Sequence, residues 1–220
     1  MMNLTESLKY VVYRAPIVSR LMAPTYPYKI NPGQLATMIE LIDNSRTSGG
    51  AVVEIGVAQG DSSVFFLEHL HTTADPRPLL LFDTFSGFTP ESIDVEVDQR
   101  GKHKSEYDKF RYGDEAKFRR NLANAGYHNF STYRGDAAKF DWTQIGPVGA
   151  VLLDIDLYKP TLDILNAIYP LLVSGGGIVV DDCIEGGPWD GSLQAYQEFI
   201  AEKGLPSEIV GRKGGVVRKA

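Results

Sequence analysis

Along most of this chain, short apolar runs alternate with longer segments whose apolar positions recur every three or four residues. Residues 51–55, 78–82, 130–133, 148–153 and 177–180 are short runs, mostly apolar, and each predicts a strand. Between and after them, residues 62–71, 118–125, 161–172 and 193–203 carry helical spacing. A further helix starts at Gly33, uses Leu35, Met38, Ile39 and Ile42, and stops before Gly49 and Gly50. The tail SEIVGRKGGVVRKA predicts two strands joined at a glycine-bearing turn. Strands alternating with helices imply an α/β fold with a doubly wound, mostly parallel sheet. The tail adds an antiparallel hairpin, for seven strands in all.

Two segments fall outside this alternation. Residues 3–13 place Leu4, Leu8 and Val11 on one helical stripe, ended by Pro16. That stripe has no place within the sheet, so residues 1–32 are set apart as an N-terminal helical segment, packed at a homodimer interface or over the active site. Residues 33–220 then form the main domain. Within it, residues 84–112 are too long for an ordinary strand-to-helix connection. From Glu91 to Glu115 there are eight acidic and five basic side chains, with Tyr107, Phe110 and Tyr112 among them. A lid over a ligand is the functional expectation for this insert, and a disordered surface loop the plain one.

Composition narrows the partners. A net charge of −6 argues against nucleic acid or an anionic membrane surface. Cys183 is the single cysteine, which excludes an internal disulfide and suits a reducing compartment. No apolar run approaches the roughly 20 residues that span a bilayer. Glu6, Lys9, Arg14 and Arg20 interrupt the N-terminal stretch, unlike a signal peptide. A cytoplasmic protein acting on small molecules is expected.

The candidate chemistry gathers at strand ends. Asp154 closes the fourth run, in VLLDIDLY, and Asp181 and Asp182 close the fifth, in GGGIVVDDC. Parallel neighbours end on one edge of a sheet, so these carboxylates converge there. Like charges that close repel one another, and a hard divalent cation such as Mg²⁺ would resolve the conflict. After the first strand comes Glu54-Ile55-Gly56-Val57-Ala58-Gln59-Gly60-Asp61-Ser62, a glycine loop opening a helix. Such a loop brings backbone close to a ligand, and Glu54 would suit an amine on it. Asp83 ends the second strand, where a carboxylate can accept from both hydroxyls of a ribose. Asp136 and Ala137 follow the third, with Asp136 placed to accept from an adenine amine. The plain alternative at each position is a turn-forming Asp.

Together these residues resemble the class I S-adenosylmethionine-dependent methyltransferases over about residues 33–219. Within that class the chain is most similar to the metal-dependent O-methyltransferases of the macrocin type, related to the catechol and caffeoyl-CoA enzymes. EIGVAQGDS resembles the family's first motif, FDTFSGF its second, and DIDLY with GGGIVVDD its metal signature. The resemblance implies a Rossmann-like methyltransferase fold and S-adenosylmethionine as cofactor. Ser62 would meet the cofactor's carboxylate, with Glu54, Gly56, Gly60, Asp83, Asp136 and Ala137 also around it. Asp154, Asp181 and Asp182 would hold Mg²⁺, which binds a small-molecule hydroxyl acceptor such as a sugar, phenol or polyketide. The lysine base of catechol-type members is replaced by Leu157. Asp154 itself, or His103 in the insert, is then the candidate base.

Other classes fit parts of the pattern. An NAD-linked oxidoreductase would use the glycine loop and Asp83 but leave the three acids idle. A metal-dependent hydrolase would use the acids but not the nucleoside-type positions. A methyltransferase-like binding subunit would keep the sheet and show no turnover.

Overall fold

The protein is described by a computed structural model covering residues 25–110 and 113–219, with Thr5, Lys9, Tyr10, Val12, Ala15, Val18 and Ala23. The helix expected over residues 3–13 falls largely outside the described residues.

Five strands are parallel: β1 (Ala51–Ile55), β2 (Leu79–Asp83), β3 (Phe130–Arg134), β4 (Val148–Leu153) and β5 (Leu172–Val180). Two more, β6 (Ile209–Val210) and β7 (Gly214–Arg218), form a hairpin whose second strand pairs antiparallel with β5. The order across the sheet is β3-β2-β1-β4-β5-β7-β6. Helices α1 (Pro32–Asn44), α2 (Asp61–Thr72) and α4 (Glu115–Asn124) cover one face, and α5 (Tyr158–Ile168) and α6 (Gly191–Lys203) the other. The insert contributes α3 (Pro90–Asp98) and a short 3₁₀ turn at Lys104–Tyr107.

Coverage on both faces explains why β2, β4 and the end of β5 read as unbroken apolar runs, whereas the edge strand β3, FSTYR, is only partly buried. Val52, Leu79, Leu81, Ala150, Leu152 and Val179 pack beneath α1, α2 and α4. Their neighbours Val53, Leu80, Phe82, Val151, Leu153 and Ile178 pack beneath α5 and α6. Each side chain turns to the opposite face from the one before it.

Register then aligns the strand ends. Ile55 pairs with Phe82 and with Leu153, and Leu153 pairs with Val180. The residues that follow, Gly56, Asp83, Asp154 and Asp181, therefore emerge side by side on one edge. The chain's path reverses direction between β1 and β4, which opens a crevice at this edge.

The insert is not bare loop. Thr89 caps α3 at the Ser92 amide and Pro90 occupies its first turn. Ile93 and Tyr107 bury a small apolar cluster with Leu157, with Phe88 and Trp189 against it.

Away from the crevice, Arg77 ties the start of β2 to the end of α1. Its guanidinium donates to Ile42 O, at 2.6 Å, to Gly50 O, at 2.9 Å, and to the Asp75 carboxylate, at 2.6 Å. Asp75 is almost wholly enclosed, its side chain 1% exposed. Removing the guanidinium leaves that charge without its main partner, so Arg77→Ala should lower unfolding free energy by about 3 kcal/mol. Urea denaturation measures the loss, and a change within 0.5 kcal/mol, about the scatter of surface substitutions, would contradict it.

Candidate active site

A cavity of about 280 Å³ opens at the carboxyl edge, between the ends of β1, β2 and β4. Gly56, Asp83, Asp136, Ala137, Asp154, Asp181 and Asp182, all named from the sequence, line it. Gly56 has φ +85°, and a Cβ there would lie 1.8 Å from the carbonyl oxygen of Asp154. Only glycine lets the β1–α2 loop lie that close to the end of β4.

Asp83 is oriented by backbone. Its Oδ2 accepts from the Val57 amide at 3.0 Å and its Oδ1 from the Phe85 amide at 2.6 Å. Each oxygen retains capacity for another donor from the cavity. Asp136 caps a 3₁₀ turn, Ala137–Lys139, by accepting from the Ala138 amide at 3.0 Å.

Glu54, Gly60 and Ser62 do not line the cavity. Glu54 is fully buried, and both of its oxygens are taken by hydroxyls at the first turn of α2, from Ser62 and, at 2.6 Å, from Ser63. The side chains expected to meet a ligand amine and a carboxylate, Glu54 and Ser62, are here hydrogen-bonded to each other outside the cavity. The two side chains satisfy each other beneath the loop, because a buried carboxylate needs donors. Gly60, at φ +94°, supplies the left-handed turn into α2. His103 is exposed at the start of the 3₁₀ turn in the insert and does not line the cavity, so no contact there supports it as a base.

The acidic cluster differs from the sequence-read trio by one residue. Ligand oxygens of Asp154, Asp156 and Asp182 lie within 4.8 Å of one another. Asp181 turns aside: its Oδ1 accepts from Gln34 Nε2 at 2.7 Å and its Oδ2 from Lys213 Nζ at 2.8 Å. Lys213 also donates to Asp182 Oδ1 at 2.6 Å. Asp156 and Asp182 both adopt left-handed backbone, φ +64° and +56°, a strain that Asp tolerates better than most residues. Burial, then Asp181, Asp156 and Asp182 in that order, push the Asp154 carboxyl well above its usual range. Burial and the adjacent Asp182 do the same to Asp156.

Asp156, Gln34 and Lys213 were not singled out from sequence. Asp156 carried a signal, as the second acid of DIDLY. Gln34 completes a capping box with Asn31 at the start of α1, and its amide nitrogen is what reaches Asp181. Lys213 arrives from the β6–β7 turn, 31 residues from Asp182, and only tertiary structure shows it.

Sheet order and the switch-point crevice define a Rossmann-like fold of the methyltransferase type. The macrocin O-methyltransferase (TylF) family profile matches residues 32–213, and the chain belongs to that family. No curated protein matches it in sequence. In structure it is similar to the O-methyltransferase NovP, with TM-score 0.70 and 19% identity over 89% of this chain and 83% of that one. The calicheamicin methyltransferase CalS11 superimposes with TM-score 0.66 and 21% identity over 97% and 90%. An apo structure of CalS11, described as a TDP-rhamnose 3'-O-methyltransferase, gives 0.57 and 19% over 97% and 92%. At these identities the superpositions speak for the fold. Family membership replaces the oxidoreductase and hydrolase alternatives with O-methyl transfer. Among the described residues, no helix is long and apolar enough to cross a membrane.

Burial, opposed by the two serine bonds and reinforced by Asp83, raises the Glu54 carboxyl from 4.5 to about 7. The folded protein therefore holds this proton more tightly than the unfolded chain. The stability so contributed is full below about pH 4.5 and is lost as pH rises through about 7, a change of about 3 kcal/mol at most. Glu54→Gln should flatten the fall in stability over that window. Parallel stability-versus-pH curves for the two proteins would contradict the assignment.

Proposed function

We propose that this protein transfers the methyl group of S-adenosylmethionine to a hydroxyl of a sugar, phenol or polyketide-type natural product. In this reading a divalent cation, Mg²⁺ by preference, is held by Asp154, Asp156 and Asp182. The observation that carries it is the clustering of those three carboxylates in the same cavity as Asp83 and Asp136. An all-oxygen donor set, in which burial and neighbouring carboxylates raise the proton affinity of Asp154 and Asp156, fits a hard cation.

Asp83 and Asp136 would hold the nucleoside, and the Gly56 turn leaves room for the methionine portion beside β4. When bound, the cofactor supplies an activated methyl and the cation makes a nearby hydroxyl more acidic. The chain's part is to align and to accept a proton. Lys213 already donates to two carboxylates, and His103 stands outside the cavity. Asp154 is therefore the proposed proton acceptor. The insert, whose Phe88, Thr89, Ser92 and Phe110 also line the cavity, is the proposed acceptor-binding lid. The TDP-rhamnose named for CalS11 favours including nucleotide sugars among the acceptors tested.

Asp154→Asn should keep the fold and cofactor binding yet lose most turnover against an acceptor panel. Chelation should abolish activity and added Mg²⁺ restore it. Full turnover after rigorous chelation would remove the metal from the reaction. Asp83→Ala should weaken S-adenosylmethionine binding by about 1.5–3 kcal/mol in calorimetry, the range for a charged hydrogen bond. Undiminished affinity would take Asp83 out of the site. Asp156→Asn and Asp181→Asn separate the third ligand: the larger loss of Mn²⁺ affinity is expected at Asp156.

A further inference from the structure

Helix α5 begins immediately after the loop that carries Asp154 and Asp156, and its N-cap residue is Leu157. Leucine has no acceptor to offer the free amides of a first turn. The acceptor comes from elsewhere in the chain. Glu96 of α3, fully buried, receives the Tyr158 amide on Oε1 at 2.6 Å. Its other oxygen pairs with Arg100, which donates to Asp190 Oδ1 at 2.8 Å and Gln194 Oε1 at 2.8 Å. Asp190 and Gln194 belong to the start of α6, in the segment following Asp181 and Asp182. Lys102 closes the same network, donating to Asp190 Oδ2 at 2.8 Å.

The loop between Asp154 and Tyr158 is thus pinned at both ends. The Asp154 amide donates to Ile55 O at 2.8 Å, and the Tyr158 amide donates to Glu96. Between the pins Asp156 holds its left-handed backbone, and Leu157 is buried against Ile93 and Tyr107 of the insert. A non-glycine residue in that conformation persists only where its surroundings hold it.

We propose that Glu96 is a positioning residue: from the insert, it caps α5 and thereby sets the backbone that aims Asp154 and Asp156. The insert then does more than border the acceptor. Whatever orders α3 also tightens the carboxylate cluster, and by linkage a cation bound there steadies the insert. The metal part of this proposal rests on the cation reading above, while the backbone part does not.

The test uses three variants of the full chain. Glu96→Ala removes the acceptor. Glu96→Gln keeps an oxygen for the Tyr158 amide but gives up the charge facing Arg100. Gly191→Ala leaves Glu96 intact and wedges the bond, since its Cβ would lie 2.5 Å from the Tyr158 nitrogen and 2.9 Å from Glu96 Oε1. Hydrogen exchange over residues 154–158, without metal, should quicken at least tenfold in Glu96→Ala and Gly191→Ala and stay within threefold of wild type in Glu96→Gln. Mn²⁺ titration should follow the same order, with S-adenosylmethionine affinity changing less than threefold throughout. Unchanged exchange in both Glu96→Ala and Gly191→Ala overturns the proposal. So does a loss in Glu96→Gln equal to that in Glu96→Ala, which would leave Glu96 as a charge partner only. Wild-type protein that takes up no Mn²⁺ would defeat the cation reading, and exchange alone would then decide the role of Glu96.

Discussion

Four carboxylates share one corner of this protein, and their mutual repulsion is the constraint around which the rest is arranged. Asp154, Asp156, Asp181 and Asp182 stand at the ends of two adjacent parallel strands, where burial and the neighbouring carboxylates raise the proton affinity of Asp154, Asp156 and Asp181. The fold supplies partial relief. Lys213 spans Asp181 and Asp182, and Gln34 donates to the oxygen of Asp181 that Lys213 does not take. Asp154 and Asp156 have no such ion-pair partner among the described residues, and the proposed cation would supply one.

The contrast between Glu54 and Asp83 shows how position on a strand separates structural from ligand-facing acids. Asp83 is the last residue of β2 and projects into the crevice, steadied by two amides. Glu54 lies one residue before the end of β1, on the face covered by α2, and closes upon Ser62 and Ser63. Glu54 is level with Leu81, two residues short of Asp83, so depth along the strands separates the enclosed carboxylate from the one that lines the cavity.

Much of the architecture was legible because both faces of the sheet are covered. Mostly apolar runs marked β1, β2, β4 and the end of β5, the mixed run FSTY marked β3, and the alternation of strand and helix implied their parallel sense. Asp83, Asp136, Asp154, Asp181 and Asp182 were legible as acids that end such runs. The α3 helix was not, because ESIDVEVD alternates apolar and polar positions as a strand would; the Thr89-Pro90 cap was its one local signal. Gln34, Lys213 and Glu96 were invisible for another reason. Each acts on a group 147, 31 or 62 residues away, and no periodicity encodes such a contact. The hydroxyl partners of Glu54 were not legible either, because an acid in an apolar strand suggests a ligand as readily as a pair of serines.

Lys213 also gives the cluster a history. The ribosome delivers every carboxylate of the corner, with Gln34, before it delivers the ammonium that spans Asp181 and Asp182. Until the β6–β7 hairpin folds back onto β5, the parallel sheet can assemble only with those two acids facing each other without their cation. Closure of the hairpin is therefore what brings the Lys213 ammonium to Asp181 and Asp182, and the corner is complete only with the pairing of β7 on β5.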